Sequence, residues 1–292
     1  MPAASQKAYF AIRAFNAELA SVKDGRRGGG QRDTAATLVL QIRMQWWRDA
    51  LAEIYDGAPK RSAPKGPDPT LSNLSIACWH SPVVRALHVA NQEHDLTRRF
   101  LERLIDVRET DLAVNQYKSM ADVVAYAEES VSSLLYLSLE CTGVRDDDAD
   151  LVASHAGVGI GVTTALRATP FRLVQGEVPI PAELLHKTFP YNELVNWQDD
   201  EFTLSEQDAT VLHEAVLHMA HVASSHLTQA RELQGKVPKH ARACLLPVVP
   251  ALHFLSKLQE ADHNLFDSQK LTDQTRLALL LLLGRTWMTG VF

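Results

Sequence analysis

An all-α fold is what this sequence predicts, and three observations carry the prediction. Apolar residues recur at three-four spacing along most of the chain, helix start and stop signals bracket several of these runs, and no strand alternation or hairpin signal competes with them. Helical periodicity begins near Gln6 and continues through Ala17 to Lys23. It returns over Leu38 to Tyr55 and over Val83 to Asp106. Met120, Val123, Val124, Ala127, Val131, Leu134, Leu135 and Leu139 then mark one helix face, with Ser119 and Asp122 as a capping box at its start and Gly143 as its stop. Asp150 to Arg167 reads as the next helix. Ser205 and Asp208 open a long one toward Gly235, and Ala241 to Gln259 and Leu271 to Met288 follow. Arg26-Arg27-Gly28-Gly29-Gly30 is a basic turn and not a phosphate loop, because no GK[ST] follows it. Residues 57–70 hold recurring prolines that exclude a helix, and they read as a surface loop inside one domain of residues 1–292.

Composition narrows the function classes. The chain has 292 residues, 46% of them hydrophobic, which is ample for a sizeable core. Charged residues make up 22% and the net charge is −6, so the dense basic face that phosphate neutralisation needs is missing and no nucleic-acid partner is expected. Cys78, Cys141 and Cys244 are far apart and lie among apolar or small residues, which reads as three reduced core thiols rather than a disulfide or zinc framework. The run Leu277 to Leu283 is far shorter than the roughly 20 apolar residues of a membrane span, and no segment is expected to reach that length. The N-terminal residues show neither a signal peptide nor an Arg/Ser-rich transit peptide.

Several patterns that invite chemistry read as structure. Asp146-Asp147-Asp148-Ala149-Asp150 matches DDxxD, yet it follows Gly143 at a helix start, where acidic residues complement the helix dipole. Asp199-Asp200-Glu201 reads as a solvated loop. His213, His218, His221 and His226 share one helix, and His218 with His221 has a spacing that metal ligands can use, but no HExxH and no partner carboxylate accompanies them. No GxSxG or Cys/His signature supports nucleophilic catalysis. Trp46-Trp47 fits either an interface pair or, for one of the two, the core.

Three segments, taken together, point to a family. They are Tyr9 to Ala20, Leu104 to Leu112 continuing at Tyr126 to Ser130, and His155 to Pro170 followed by Val178-Pro179-Ile180-Pro181. Their order and spacing resemble the squalene and phytoene synthases over nearly the whole chain. Arg13 to Leu19, Arg43-Met44-Gln45-Trp46-Trp47, Tyr126-Ala127-Glu128 with Ser132 to Leu137, and Leu166-Arg167-Ala168-Thr169-Pro170 resemble one branch of that family, the mitochondrial complex I assembly factors. The resemblance implies a single-domain, isoprenoid-synthase-like helical bundle with a central cavity, in which the helices bearing Asn16 and Arg167 face each other.

Active members of the family join two prenyl diphosphates, and departure of diphosphate needs Mg²⁺ held by carboxylate oxygens. Pairs of aspartates four apart, on one helix face, supply them. Here the leading position of the first motif is Asn16 and the position four later is Ala20; Glu18 points to another side of the helix. In the second motif Ala168 follows Arg167, and Arg172 stands where a carboxylate belongs. Pro170 is expected to end that helix early. Three of four carboxylates are thus replaced outright and the fourth by an amide, so no catalytic residue, metal ligand or cofactor is expected. Arg13, Glu18, Tyr126 and Arg167 are the candidates for a residual anion or ligand pocket; for Arg13 and Arg167 the competing reading is a structural pairing with a helical carboxylate. Ser132 and Leu135 fall where active relatives carry small residues, and their bulk would narrow the cavity.

The resemblance therefore implies a non-catalytic assembly factor for mitochondrial respiratory complex I. Its partners would be complex I subunits or other assembly factors, and it would sit peripherally on the matrix side of the inner membrane. The alternatives are an active or altered prenyltransferase of the squalene/phytoene synthase type, or an isoprenoid- or lipid-binding carrier. Leu271 to Met288, apolar over much of its circumference, reads either as a helix buried in the domain or as the membrane or partner surface.

Overall fold

The computed structural model describes residues 3–24, 34–57, 74–186, 189–190, 204–271 and 276–289. Twelve α-helices are described: α1 (Ala3–Asp24), α2 (Thr34–Asp56), α3 (Ile76–His80), α4 (Pro82–His94), α5 (Arg98–Asp111), α6 (Met120–Ala127), α7 (Ser133–Glu140), α8 (Asp147–Leu173), α9 (Glu206–Leu233), α10 (Val248–Glu260), α11 (Ser268–Leu271) and α12 (Arg276–Thr289). A π-helical turn, Glu128–Ser132, joins α6 to α7. Among the described residues the only β-pairing is a single bridge between Gln116 and Val178, so the all-α expectation holds. The chain forms two compact units: Met1–Ala113 with Ser133–Asp146, and Val114–Ser132 with Asp147–Phe292. The basic turn at 26–30, loop residues 58–70 and Asp199-Asp200-Glu201 lie outside the described residues.

In the first unit, α1 shows why the pattern makes a helix. Ala8, Ala11, Ile12, Phe15, Leu19 and Val22 fall at three-four spacing, and all are buried. Phe15 meets Trp47 of α2 edge to face, ring centroids 5.1 Å apart. Leu51, Leu87, Leu101, Leu104 and Leu137 complete this core.

One helix was expected over Val83 to Asp106, and two are found. The break is at Asp95, which takes a left-handed conformation (φ 52°) after α4. Arg145 holds the break, donating to the backbone carbonyls of His94 and Asp95. Glu140, buried at the end of α7, then caps α5 from outside: its carboxylate accepts from the Thr97 backbone N–H at 2.9 Å and from the Thr97 hydroxyl, and pairs with Arg145 at 2.9 Å. A break made by residues from another part of the chain carries no glycine or proline signal.

In the second unit, the capping box at Ser119 is as expected. Its hydroxyl accepts from the Asp122 N–H at 3.2 Å, and the Asp122 carboxylate accepts from the Ser119 N–H at 3.0 Å. The helix it opens does not keep one register, because the π turn at Glu128–Ser132 interrupts it. Helix α8 explains the interruption. A Cβ on Gly157 would lie 2.5 Å from Ser132 Cα, and one on Gly161 would lie 2.4 Å from Ala127 Cβ. Gly157 and Gly161 are one turn apart, so they bring the π turn at Ser132 and the end of α6 at Ala127 directly onto α8. Gly159, on another side, meets Leu227 of α9. Val158, Val162, Leu166, Met219, Ala223 and Leu258 pack around these contacts.

Two expectations are corrected in α8. Pro170 does not end the helix, which runs on to Leu173 and closes through Gly176 (φ 75°), with the Glu177 N–H reaching the Arg172 carbonyl at 3.0 Å. So near the C-terminus, a proline forfeits one intrahelical bond without abolishing the last turn. The helix also contains an 18-residue window with mean hydropathy 1.2, long and apolar enough to cross a membrane by composition; 56% of it is buried, as befits a core helix packed on several sides.

Candidate functional site

Both positions of the first motif, Asn16 and Ala20, and the pocket candidates Arg13 and Glu18 lie on α1. Arg13 and Glu18 are exposed, whereas Asn16 and Ala20 are half-buried and share a face one turn apart. Arg108 of α5 donates to Asn16 Oδ1 at 3.4 Å, so this neutral amide oxygen is turned toward a cation. Carboxylates on α5 are likewise held by cations. Arg48 spans Asp106 at 2.7 Å and Glu109 at 2.5 Å, and Lys23 meets Asp111 at 3.0 Å. The Glu109 hydrogen bond, chiefly, raises Arg48 further above its already high value, so this charge is permanent. Around Asp106 and Glu109, positive charge is supplied by side chains.

Glu18 lines a cleft of about 260 Å³ with Arg43, Trp46, Trp47, Ser81, Pro82 and Val83. Trp47 is buried and Trp46 half-buried, with ring centroids 4.7 Å apart, so one indole belongs to the core and the other walls the cleft. The volume is below the roughly 300 Å³ at which small-molecule pockets begin.

The second motif lies in the last turns of α8. Arg167 is exposed, Ala168 is half-buried, and Thr169 is buried with its hydroxyl bonded to the Ala165 carbonyl at 2.9 Å. Arg172 forms a salt bridge with Glu177. Among the described residues neither Arg13 nor Arg167 makes an ion pair. Tyr126 of α6 packs on Tyr117, with ring centroids 5.5 Å apart. Ser132 is fully buried in the π turn, and its hydroxyl bonds the Ser154 carbonyl at 3.2 Å; Leu135 is also buried.

The remaining patterns resolve as follows. Asp147, Asp148 and Asp150 occupy the first turn of α8, and Asp148 pairs with Lys236 at 2.6 Å. All three cysteines are buried and reduced, and burial pushes the Cys78 thiol up to about 11, which leaves it unreactive. His218 and His221 are both exposed on α9. Two other histidines of α9 meet partners that the sequence reading did not pair them with: His226 lies 3.1 Å from His155 of α8, nitrogen to nitrogen, and His213 faces His263 beyond α10. Sequence spacing along one helix cannot find such pairs, because each joins two elements.

These helices, with their motif positions in the order described, define an isoprenoid-synthase fold. The sequence profile of the family described as "Squalene/phytoene synthase" matches residues 1–279, and the chain belongs to that family. Among solved structures, a dehydrosqualene synthase in complex with ligand superposes with a TM-score of 0.68 at 14% identity, covering 99% of this chain and 89% of that one. The squalene synthase HpnC from Alicyclobacillus acidocaldarius gives a TM-score of 0.66 at 17% identity, covering 90% and 86%. Among curated proteins, "NADH dehydrogenase (ubiquinone) complex I, assembly factor 6" of Rattus norvegicus is 33% identical over 286 residues, which is 98% of this chain and 75% of the relative. The human protein of the same name is 32% identical over 289 residues, again 98% and 75%.

Proposed function

We propose that this protein is a non-catalytic assembly factor for respiratory complex I, built on a synthase fold whose magnesium-binding aspartates are replaced. The observation that carries the proposal is the set of side chains at the four motif positions. Asn16, Ala20, Ala168 and Arg172 offer one neutral oxygen and one positive charge where the chemistry needs several negative charges. Asn16 is engaged by Arg108, and Arg172 by Glu177. Diphosphate could not be neutralised by metal held at such positions, and without that its departure has no electrostatic support. The likeness to assembly factor 6 of rat and human over nearly the whole chain supports the same reading.

The action would then be exerted through a surface, on complex I subunits or other assembly factors, at the matrix side of the mitochondrial inner membrane. Helix α12 supports a peripheral attachment. Leu280, Leu281, Leu282 and Met288 are exposed, with Leu281 at 74% and Met288 at 75%. An exposed apolar face on a helix of 14 residues is too short to span and suited to lie in the interface.

The test has two arms. Purified protein is incubated with farnesyl or geranylgeranyl diphosphate and Mg²⁺, and no coupled product is expected; turnover near roughly 1 per second would overturn the non-catalytic reading. In cells lacking the endogenous assembly factor, the chain is expected to restore assembled complex I, and the Glu18→Ala variant to do so equally well.

A further inference from the structure

The C-terminal turn of α10 has an uncommon backbone. Asp262 and His263 are consecutive non-glycine residues in the left-handed region, at φ 50° and 57°. The hydrogen bonds are those of a helix stop in which glycine is the usual choice: the His263 N–H reaches the Leu258 carbonyl at 2.8 Å, and the Asp262 N–H reaches Gln259 at 3.0 Å. Each such residue is strained relative to a relaxed backbone, because Cβ crowds the following carbonyl oxygen. Glycine at either position would relieve that strain, but it would remove a side chain. Those side chains converge on a third. His213, on α9, presents its ring to His263 edge to face at 5.7 Å between centroids. One ligand-type atom from each of His213, Asp262 and His263 lies within 4.8 Å of the other two. Among the described residues, none of these three side chains spends that atom on a hydrogen bond or ion pair.

We propose that His213, Asp262 and His263 form a binding site for one divalent transition-metal ion of the zinc class. Two imidazole nitrogens and one carboxylate oxygen are the donors that such a borderline-soft ion prefers, and Mg²⁺ does not. Ligands of a tetrahedral ion are roughly 3.3 Å apart at the usual bond lengths of about 2.0–2.1 Å. From separations of up to 4.8 Å, side-chain rotations that close each distance by at most about 1.5 Å complete the set. Asp262 is exposed and the two histidines are half-buried, so the fourth position is open to water or to a ligand atom of a partner. The ion would fasten α9 to the end of α10 within the second unit. It lies apart in sequence from both magnesium motifs, and its donor chemistry differs from theirs.

Calorimetric titration of the metal-free full chain with Zn²⁺ tests this, alongside Co²⁺ as a spectroscopic probe. The expected result is one Zn²⁺ per chain, a visible Co²⁺ band of tetrahedral intensity, and a raised unfolding midpoint with Zn²⁺ but not with Mg²⁺. His213→Gln and His263→Gln should each abolish the Co²⁺ band. Asp262→Asn, which keeps a side chain tolerant of the left-handed backbone, should weaken Zn²⁺ binding by at least about tenfold, in line with the loss of one ligand. Circular dichroism confirms that each variant is folded. Absence of Zn²⁺ binding to the wild-type chain would overturn the proposal. So would a Co²⁺ band that survives in the His213→Gln/His263→Gln double variant, since the ion would then be held by other histidines.

Discussion

Arg172 and Glu177 form a salt bridge across the closing turn of α8, so the cation at the second motif's last position is anchored by its own neighbour. The pair is partly buried, with side-chain exposures of 31% and 19%. This bears on any attempt to rebuild the magnesium site. Pro170 leaves the helix intact, so under the proposed non-catalytic reading the obstacle would be the charge at Arg172 and not the backbone. Combining Asn16→Asp, Ala20→Asp and Ala168→Asp is therefore expected to give no coupled product from farnesyl diphosphate and Mg²⁺. Product formation by that triple variant, detected by chromatography, would show that Arg172 does not block the site.

Close backbone contact at Gly157 makes a stability prediction. The nearest atoms to an added Cβ include Ser132 Cα and N, at 2.5 and 2.6 Å, which no change of rotamer can move. Gly157→Ala should destabilise the protein by roughly 1–3 kcal/mol through overpacking, despite the better helix propensity of alanine. Gly284→Ala in α12, where an added Cβ meets nothing within 4 Å, is the control and should be neutral or slightly stabilising. Urea unfolding of the two variants measures both, and equal stabilities would contradict the packing described for α8.

The His155–His226 pair predicts a pH dependence. Burial first, and the neighbouring His155 second, lower the pKa of His226, while Glu128 opposes the shift. Glu128 itself accepts from the Ser154 hydroxyl at 2.9 Å. The fold therefore favours neutral His226, and the unfolded chain takes up the proton first. This contribution to stability is complete above the ordinary histidine value of 6.5 and is lost as the pH falls below it. His226→Gln should flatten the loss of thermal stability between about pH 7 and pH 5 relative to wild type. An unchanged slope would mean that other groups dominate the window.

Helix α12 can be tested on lipid directly. Leu281 and Met288 are exposed, so replacing both with Glu should leave helical content unchanged while removing the apolar contribution to interface binding. Each such side chain is worth about 1.5–3 kcal/mol when buried. Flotation with phosphatidylcholine/cardiolipin vesicles should show at least about a tenfold drop in bound protein for Leu281→Glu/Met288→Glu. Equal flotation of variant and wild type would remove α12 as the attachment surface.

Much of this architecture was legible in the chain because local rules are enough for it. The capping box at Ser119 and Asp122, the stop at Gly143 and the start at Ser205 depend on residues within a few positions of each other. The proposal for Asn16, Ala20, Ala168 and Arg172 likewise rests on residue type at a given spacing. Tertiary structure decided the rest. The break at Asp95 exists because Arg145 and Glu140 satisfy its backbone groups. The π turn exists alongside Gly157 and Gly161, which admit a backbone where side chains would stand. His213 found His263, and His155 found His226, only when separate helices packed. A periodic pattern tells which face of a helix is buried, but the identity of what lies against that face depends on how the helices pack, and that is where these partners were chosen.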